Sequence, residues 1–222
     1  MHGYLVKFET VTIGGSDLRI RSLLDNQQYA DPEGDAERAG ITAATWPLFG
    51  LLWPSSQVLA TLMDTFDLTG KRILEIGAGL GLASLVVQRR HGDMTATDFH
   101  PLCHAFMDEN TRLNDLLPMK YQSGNWATDN PALGKFDLII GSDVLYERDH
   151  AQQLSAFIDR HSAQTVEVII IDPDRSNRAH FCREMRNRNY SQTEHRADCL
   201  LGNGKPYKGR FLGFRRGFTI TA

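Results

Sequence analysis

The chain is predicted to be an α/β protein with a mostly parallel sheet covered by helices on both faces. Three observations carry this reading. Short apolar runs recur at 72–76, 94–97 and 136–140, with stretches of helical apolar spacing between them. A glycine-rich turn, Gly77-Ala78-Gly79-Leu80-Gly81, joins the first run to its helix. Acidic residues, Asp98 and Asp143, stand just past two of the runs, where sheets of this kind bind ligands.

Taken in order, residues 4–22 alternate around Gly14-Gly15-Ser16-Asp17 and predict a β-hairpin. Residues 25–41 are polar, with Pro32, Gly34 and Gly40, and read as a mobile surface loop. That loop is either a plain solvated linker or a lid, so residues 1–45 form an extension ahead of a main domain over 46–222. Pro54-Ser55-Ser56 opens a helix with Val58, Leu59, Leu62, Met63 and Phe66 on one face. The turn 68–71 leads into the first strand of the main domain, and a helix over 82–90 follows. The second strand ends at Asp98, and Pro101 starts a helix carrying Leu102, Ala105, Phe106 and Leu113. Further strands are expected at 119–123, 136–140 and 166–171, with helices at 151–161 and 179–188. The tail offers two more strands, around 192–200 and 209–220.

Composition narrows the function. The chain has 222 residues, 41% hydrophobic and 23% charged, enough for one sizeable core. A net charge of −3 argues against nucleic acid or an anionic membrane as partner. No secretory leader and no bilayer-spanning run is visible. Cys103, Cys182 and Cys199 are far apart and odd in number, so a reducing, cytoplasmic setting and a monomer are expected.

The glycine-rich turn differs from the dinucleotide fingerprint G-x-G-x-x-G and lacks the Lys-Ser/Thr pair of a P-loop. Glu75, just before the first glycine, would repel phosphates and suits a cationic or hydrogen-bond-donating ligand. Asp98, about twenty residues on, suits both hydroxyls of a ribose. A tight turn with incidental acids is the alternative. Together the residues point to a nucleoside cofactor with a positive centre and no pyrophosphate, S-adenosyl-L-methionine.

With LLWPSSQVLATLM, LEIGAGLGLASL, TATD, Asn125-Trp126 and DVLYE on the page, residues 46–175 resemble the seven-β-strand class I methyltransferases. More narrowly, the chain is similar to methyltransferase family 16, whose known members are mostly protein-lysine methyltransferases. The resemblance implies a doubly wound, Rossmann-like sheet of seven strands with the last antiparallel. It places Trp53 near the cofactor and Trp126 by the adenine. Gly77, Ala78, Gly79, Gly81, Asp98, Phe99, Asn125 and Ser142 join Glu75 in the cofactor set. It also sets Asp143 and Tyr146 at the methyl-acceptor entrance as the candidate catalytic pair. The stretch IIIDPDR resembles members acting on the β-subunit of electron-transfer flavoprotein, where glycine follows the aspartate-proline and this chain has Asp174.

Each residue also has a plainer role open to it. Trp53 could anchor the first helix in the core and Trp126 could cap the sheet. Asp143 could cap the helix near 151. His100, Cys103 and His104 read as a helix start rather than a metal half-site, and no metal is expected. Lys205, Lys208, Arg210 and Arg215-Arg216 suggest a solvated edge strand, with an acidic partner surface as the alternative. If the acceptor is an amine, Asp143 orients it before it acts as a base, because a carboxylate favours the ammonium form. Methyltransferases of base amines typically carry Asn/Asp-Pro-Pro-Tyr/Phe where this chain has Ser142-Asp143-Val144-Leu145. A lysine of a protein is therefore the expected acceptor. A small amine is the rival, which an ordered cover over 25–45 would favour. A non-catalytic cofactor-binding protein is the third reading.

Overall fold

The computed structural model describes residues 3–218. Strands Val6–Ile13 (β1) and Ser16–Leu23 (β2) form the expected hairpin. Gly14 and Gly15, at φ 61° and 76°, make the two-residue turn that needs left-handed backbone at both positions. Leu18, Ile20 and Leu23 of β2 are fully buried, each contributing about 2 kcal/mol.

Residues 25–45 have more order than a solvated loop. They hold a short helix, Asp35–Arg38 (α1), whose first turn is tied down by the Asp31 carboxylate. That carboxylate accepts from the N–H groups of Ala36 (3.0 Å) and Glu37 (2.8 Å). Ala36 and Ile41 are buried. A 3-10 turn, Trp46–Gly50, follows, with Trp46 fully buried against Tyr4, Tyr29, Phe49 and His100 at ring separations of 5.5 to 5.8 Å. Pro54–Thr65 (α2) starts on a proline, as suits a first helical position where no N–H is needed.

The main sheet alternates with helices: Arg72–Ile76 (β3), Leu82–Arg89 (α3), Asp93–Asp98 (β4), Cys103–Leu113 (α4), Lys120–Ser123 (β5), Phe136–Ser142 (β6), His150–His161 (α5), Ser162–Asp172 (β7) and Arg178–Asn187 (α6). Ser191–Arg196 (β8) comes next, then a ribbon of Cys199–Leu200 (β9) with Pro206–Tyr207 (β10), and finally Arg210–Arg216 (β11). Strand order across the seven-stranded sheet is β5-β4-β3-β6-β7-β11-β8, with β11 antiparallel to both neighbours. The strand expected at 192–200 therefore divides in two. That expected at 209–220 ends at Arg216, and its residues 219–220 lie outside the described ones. The basic tail is not an edge strand: β11 lies between β7 and β8, and Arg210, Arg215 and Arg216 pair with Asp174, Glu167 and Asp159.

Alternation along the strands feeds two cores. Ile73, Leu138, Ile140, Ile169 and Ile171 pack with α2, α3, α4 and the hairpin. Leu74, Ile76, Ile139, Val168 and Ile170 pack with α5 and α6. The free edge of β2 is closed by side chains of α4. Asn110 and Asn114, one turn apart, accept from the N–H groups of Arg21 (2.7 Å) and Arg19 (2.8 Å). Their amide groups donate back to the carbonyls of the same two residues. Among the described residues no helix is long and apolar enough to cross a membrane.

Candidate active site

Parallel register brings the strand ends level. Ile76 pairs with Thr97 and with Gly141, and Ser142 pairs with Ile171, so the residues just past β3, β4, β6 and β7 share one rim. The chain leaves β3 for β4 on one side and returns to β6 on the other, and the crevice opens at that reversal. A cavity of about 370 Å³ lies there.

Its floor is the glycine turn. A Cβ on Gly79, at φ 54°, would stand 2.8 Å from the Phe49 carbonyl oxygen, so the turn and the 3-10 segment approach too closely for a side chain. Asp98 stands in the wall, 7% exposed, its oxygens accepting from the N–H groups of Gly79 (2.9 Å) and His100 (3.0 Å). Burial pushes its carboxyl above the ordinary range even though those N–H groups favour the charged form.

Of the residues singled out from sequence, Trp53, Gly77, Ala78, Gly79, Gly81, Asp98, Phe99, Trp126, Ser142, Asp143 and Tyr146 line this cavity. Glu75 and Asn125 do not. Glu75 is buried beneath the turn, where it accepts from the backbone N–H of Ser84 at 2.9 Å and from the Ser84 hydroxyl. It satisfies a first-turn donor of α3 rather than facing a ligand. Burial pushes its carboxyl up to about 7. Asn125 turns onto its own loop, accepting from the N–H of Ala127 at 2.9 Å, and so shapes the segment that carries Trp126.

Asp143 leaves β6 with φ 54° and caps no helix, since α5 begins at His150 behind Asp149. Its partner is Arg175, which donates from Nε (2.7 Å) and Nη2 (2.9 Å) to the two carboxylate oxygens. Arg175, Phe49, His100, Ile41 and Thr45 also line the cavity, and none was assigned to it from sequence. The parallel neighbours β6 and β7 could have signalled Arg175, because both residues follow paired strand ends. Tyr146 packs edge-on against His150 at 4.7 Å, and His150 against Trp126 at 4.9 Å. The His150 ring is fixed by its Nδ1 contact of 2.9 Å with the Val144 carbonyl. His104 stacks on Tyr121 at 4.6 Å, while His100 stacks on Phe49 at 3.7 Å.

Residues 43–188 match the model of a family described as lysine methyltransferase. The chain belongs to that family. Among relatives of this lysine methyltransferase, the rat electron transfer flavoprotein beta subunit lysine methyltransferase is 29% identical over 182 residues, covering 79% of this chain and 69% of the relative. The Danio rerio protein N-lysine methyltransferase METTL21A is 28% identical over 174 residues, covering 72% and 74%. In fold, the chain is similar to the T. thermophilus 16S rRNA N2 G1207 methyltransferase solved in complex with AdoMet and guanosine. The TM-score is 0.61 at 14% identity, over 96% of this chain and 51% of that one.

The lysine methyltransferase takes S-adenosylmethionine as cofactor, and its residues fit that molecule. A buried carboxylate with lone pairs to spare shares the cavity wall with a turn whose Gly77, Gly79 and Gly81 carry no side chain, and with the aromatic rings of Phe99 and Trp126. Beyond Asp143, the turn 172–175 carries Asp174 at φ 65°, a left-handed position that glycine adopts without strain. Three guanidinium groups gather on Asp174, from Arg210 (2.6 Å), Arg196 (3.3 Å) and Arg178 (3.5 Å). Replacing it by alanine or by glycine removes these contacts alike, but only alanine keeps the left-handed penalty. Asp174→Gly should therefore exceed Asp174→Ala in stability by about 1 kcal/mol in urea denaturation. Equal stabilities would show that the position carries no backbone cost.

Proposed function

We propose that this methyltransferase transfers a methyl group from S-adenosylmethionine to the side-chain amine of a lysine in a protein. The observation that carries this is the cavity's combined chemistry in a chain of this family. Asp98 and the glycine turn line the same cavity as Asp143, Tyr146 and Arg175. Bound S-adenosylmethionine supplies an electrophilic methyl on a sulfonium, which a neutral amine displaces in line.

The protein's part is to hold two reactants in line and keep water out. Asp98 would accept from ribose hydroxyls, and the backbone at Gly77, Ala78, Gly79 and Gly81 lets the ligand lie close. Trp53, Phe99, Trp126 and Ser142 complete the cofactor wall. Tyr146, whose phenol burial keeps protonated, would hydrogen-bond the amine or offer it a π-face worth about 0.5–2 kcal/mol. Asp143, paired to Arg175, shapes the acceptor region through that pair and is not the amine's base.

The ordered segment 25–45 bears on the rival reading of a small amine. Ile41 and Thr45 reach the cavity wall. Yet the contacts fixing that region run through Tyr29 and Trp46 to His100, beside Asp98. Tyr146 remains 36% exposed, and the Arg175 side chain 40%. A cavity that stays open beside Tyr146 and Arg175 suits a protein substrate. A reducing, cytoplasmic compartment, in keeping with the three free cysteines, and a monomer complete this reading.

The test is labelled S-adenosylmethionine with a lysate from the source organism lacking this gene. Label on a protein band, mapped to lysine, is the expected result; label confined to the small-molecule fraction would favour the rival. On the identified substrate, Asp143→Ala and Tyr146→Phe should lower turnover by about tenfold or more while changing cofactor affinity less than about threefold. Wild-type turnover in both would refute the acceptor-site assignment.

A further inference from the structure

Asp143 does not offer the cavity a free carboxylate. Both of its oxygens are engaged by the fork of Arg175, and its side chain is 9% exposed. Arg175 is itself anchored: its backbone N–H donates to Asp172 Oδ1 at 2.8 Å. Its side chain is therefore aimed at Asp143 from a fixed turn. Among the described residues no other cationic side chain touches Asp143.

An amine can accept a methyl group only through its lone pair. A lysine amine with its ordinary pKa of about 10.4 is neutral in roughly one molecule per thousand at pH 7.5. A bare Asp143 would hold it as the ammonium and work against the reaction. Arg175 cancels that field at the point of contact. The other charged or titratable groups near the pair are common to wild type and any Arg175 variant, so they do not enter the difference between the two. Asp98, at the end of β4, is occupied by two backbone N–H groups. Between β6 and α5, Glu147 lies 3.6 Å from His150, and Tyr146 stays neutral because burial raises its phenol. At β7 and α6, burial pushes Asp172 up to about 6, so at pH 7.5 it is ionised and adds a negative charge that Arg175 also faces, and Arg178 is held by Glu194 at 2.6 Å. Tyr207 of β10 contacts Ser55 at 3.0 Å.

We propose that Arg175 is a specificity-determining, positioning residue that makes the acceptor region select the neutral amine over the ammonium by occupying Asp143. This rests on the reading of an amine acceptor above. Arg175 also keeps Asp143 from serving as the proton acceptor, so the amine enters having already given its proton to water.

The probe is n-butylamine, which carries the lysine side chain's amine without a peptide. Its binding is measured by calorimetry to the full chain saturated with S-adenosylhomocysteine. At pH 7.5, where the probe is almost wholly cationic, Arg175→Gln should bind it at least about tenfold tighter than wild type. Arg175→Lys, which keeps the charge, should restore the exclusion. Equal affinity in wild type and Arg175→Gln, including no binding by either, overturns the proposal. A second measurement needs no variant. Wild-type affinity should climb between pH 7.5 and 9.5 in step with the neutral fraction, approaching a hundredfold. A flat profile, or no binding at pH 9.5, overturns it as well. Failure of the lysine reading shows elsewhere, as absence of label on protein with Arg175 intact.

Discussion

Replacing Asp98 by alanine should weaken S-adenosylmethionine binding by about a hundredfold, close to 2.7 kcal/mol. Two losses combine. The ribose hydroxyls lose a desolvated acceptor, and the N–H groups of Gly79 and His100 lose the oxygens they now reach at 2.9 and 3.0 Å. A buried donor left without a partner costs about 1–3 kcal/mol, part of which entering water recovers. Asp98→Asn keeps one accepting oxygen but turns an amide N–H toward a backbone N–H, so its loss should be nearer tenfold. The hydroxyls are common to S-adenosylmethionine and S-adenosylhomocysteine, so calorimetry should find the same ratio for both. An Asp98→Ala protein that binds either ligand within threefold of wild type would refute the assignment.

Glu75 gives the second large effect, in stability rather than binding. Its carboxyl stands at about 7 in the folded chain against 4.5 for an ordinary glutamate. The folded state therefore holds more protons than the unfolded state between those values. Stability drawn from this group is full below about pH 4.5 and is lost as pH rises through about 7. The total is about 3 kcal/mol. A glutamine can accept from Ser84 through its carbonyl oxygen and does not titrate. The difference in unfolding free energy between wild type and Glu75→Gln should then move by about 3 kcal/mol from pH 4.5 to pH 8, against wild type at the alkaline end. Asp172 and Asp98 are also raised, which is why the comparison is made with the variant and not with wild type alone. Parallel stability curves would refute this account of Glu75.

Half of the cavity's lining was legible, largely because those residues follow strands in the chain. Asp98, Ser142, Asp143 and the glycine turn sit where a parallel sheet must put strand ends, and apolar runs announce those ends. Glu75 lies off the cavity wall although it stands close to the glycines in the chain, because strand parity turns it toward the helix layer with Ile73. The serine in the first turn of α3 was the available signal. Asn125 sits two residues before a backbone N–H it can reach, which favours a local turn over a ligand. Arg175 lies 32 residues from Asp143, and the two meet only after β6 and β7 are set side by side. Phe49, His100 and Ile41 reached the wall through packing of the N-terminal segment, a contact no local pattern reports.

The asparagine clasp on β2 has a consequence in time. Hairpins form within microseconds, so β1 and β2 can pair soon after they leave the ribosome. Arg19 and its partner Asn114 are 95 residues apart. At about 5–20 residues per second, α4 is not made until roughly 5–19 s after the strand it must cover. Through that interval the nascent hairpin shows an open edge and a row of uncovered leucine and isoleucine, the surface on which strands from other chains add. Synthesis rate and chaperone occupancy over those seconds thus bear on yield, although Asn110 and Asn114 cover Arg21 and Arg19 in the finished protein.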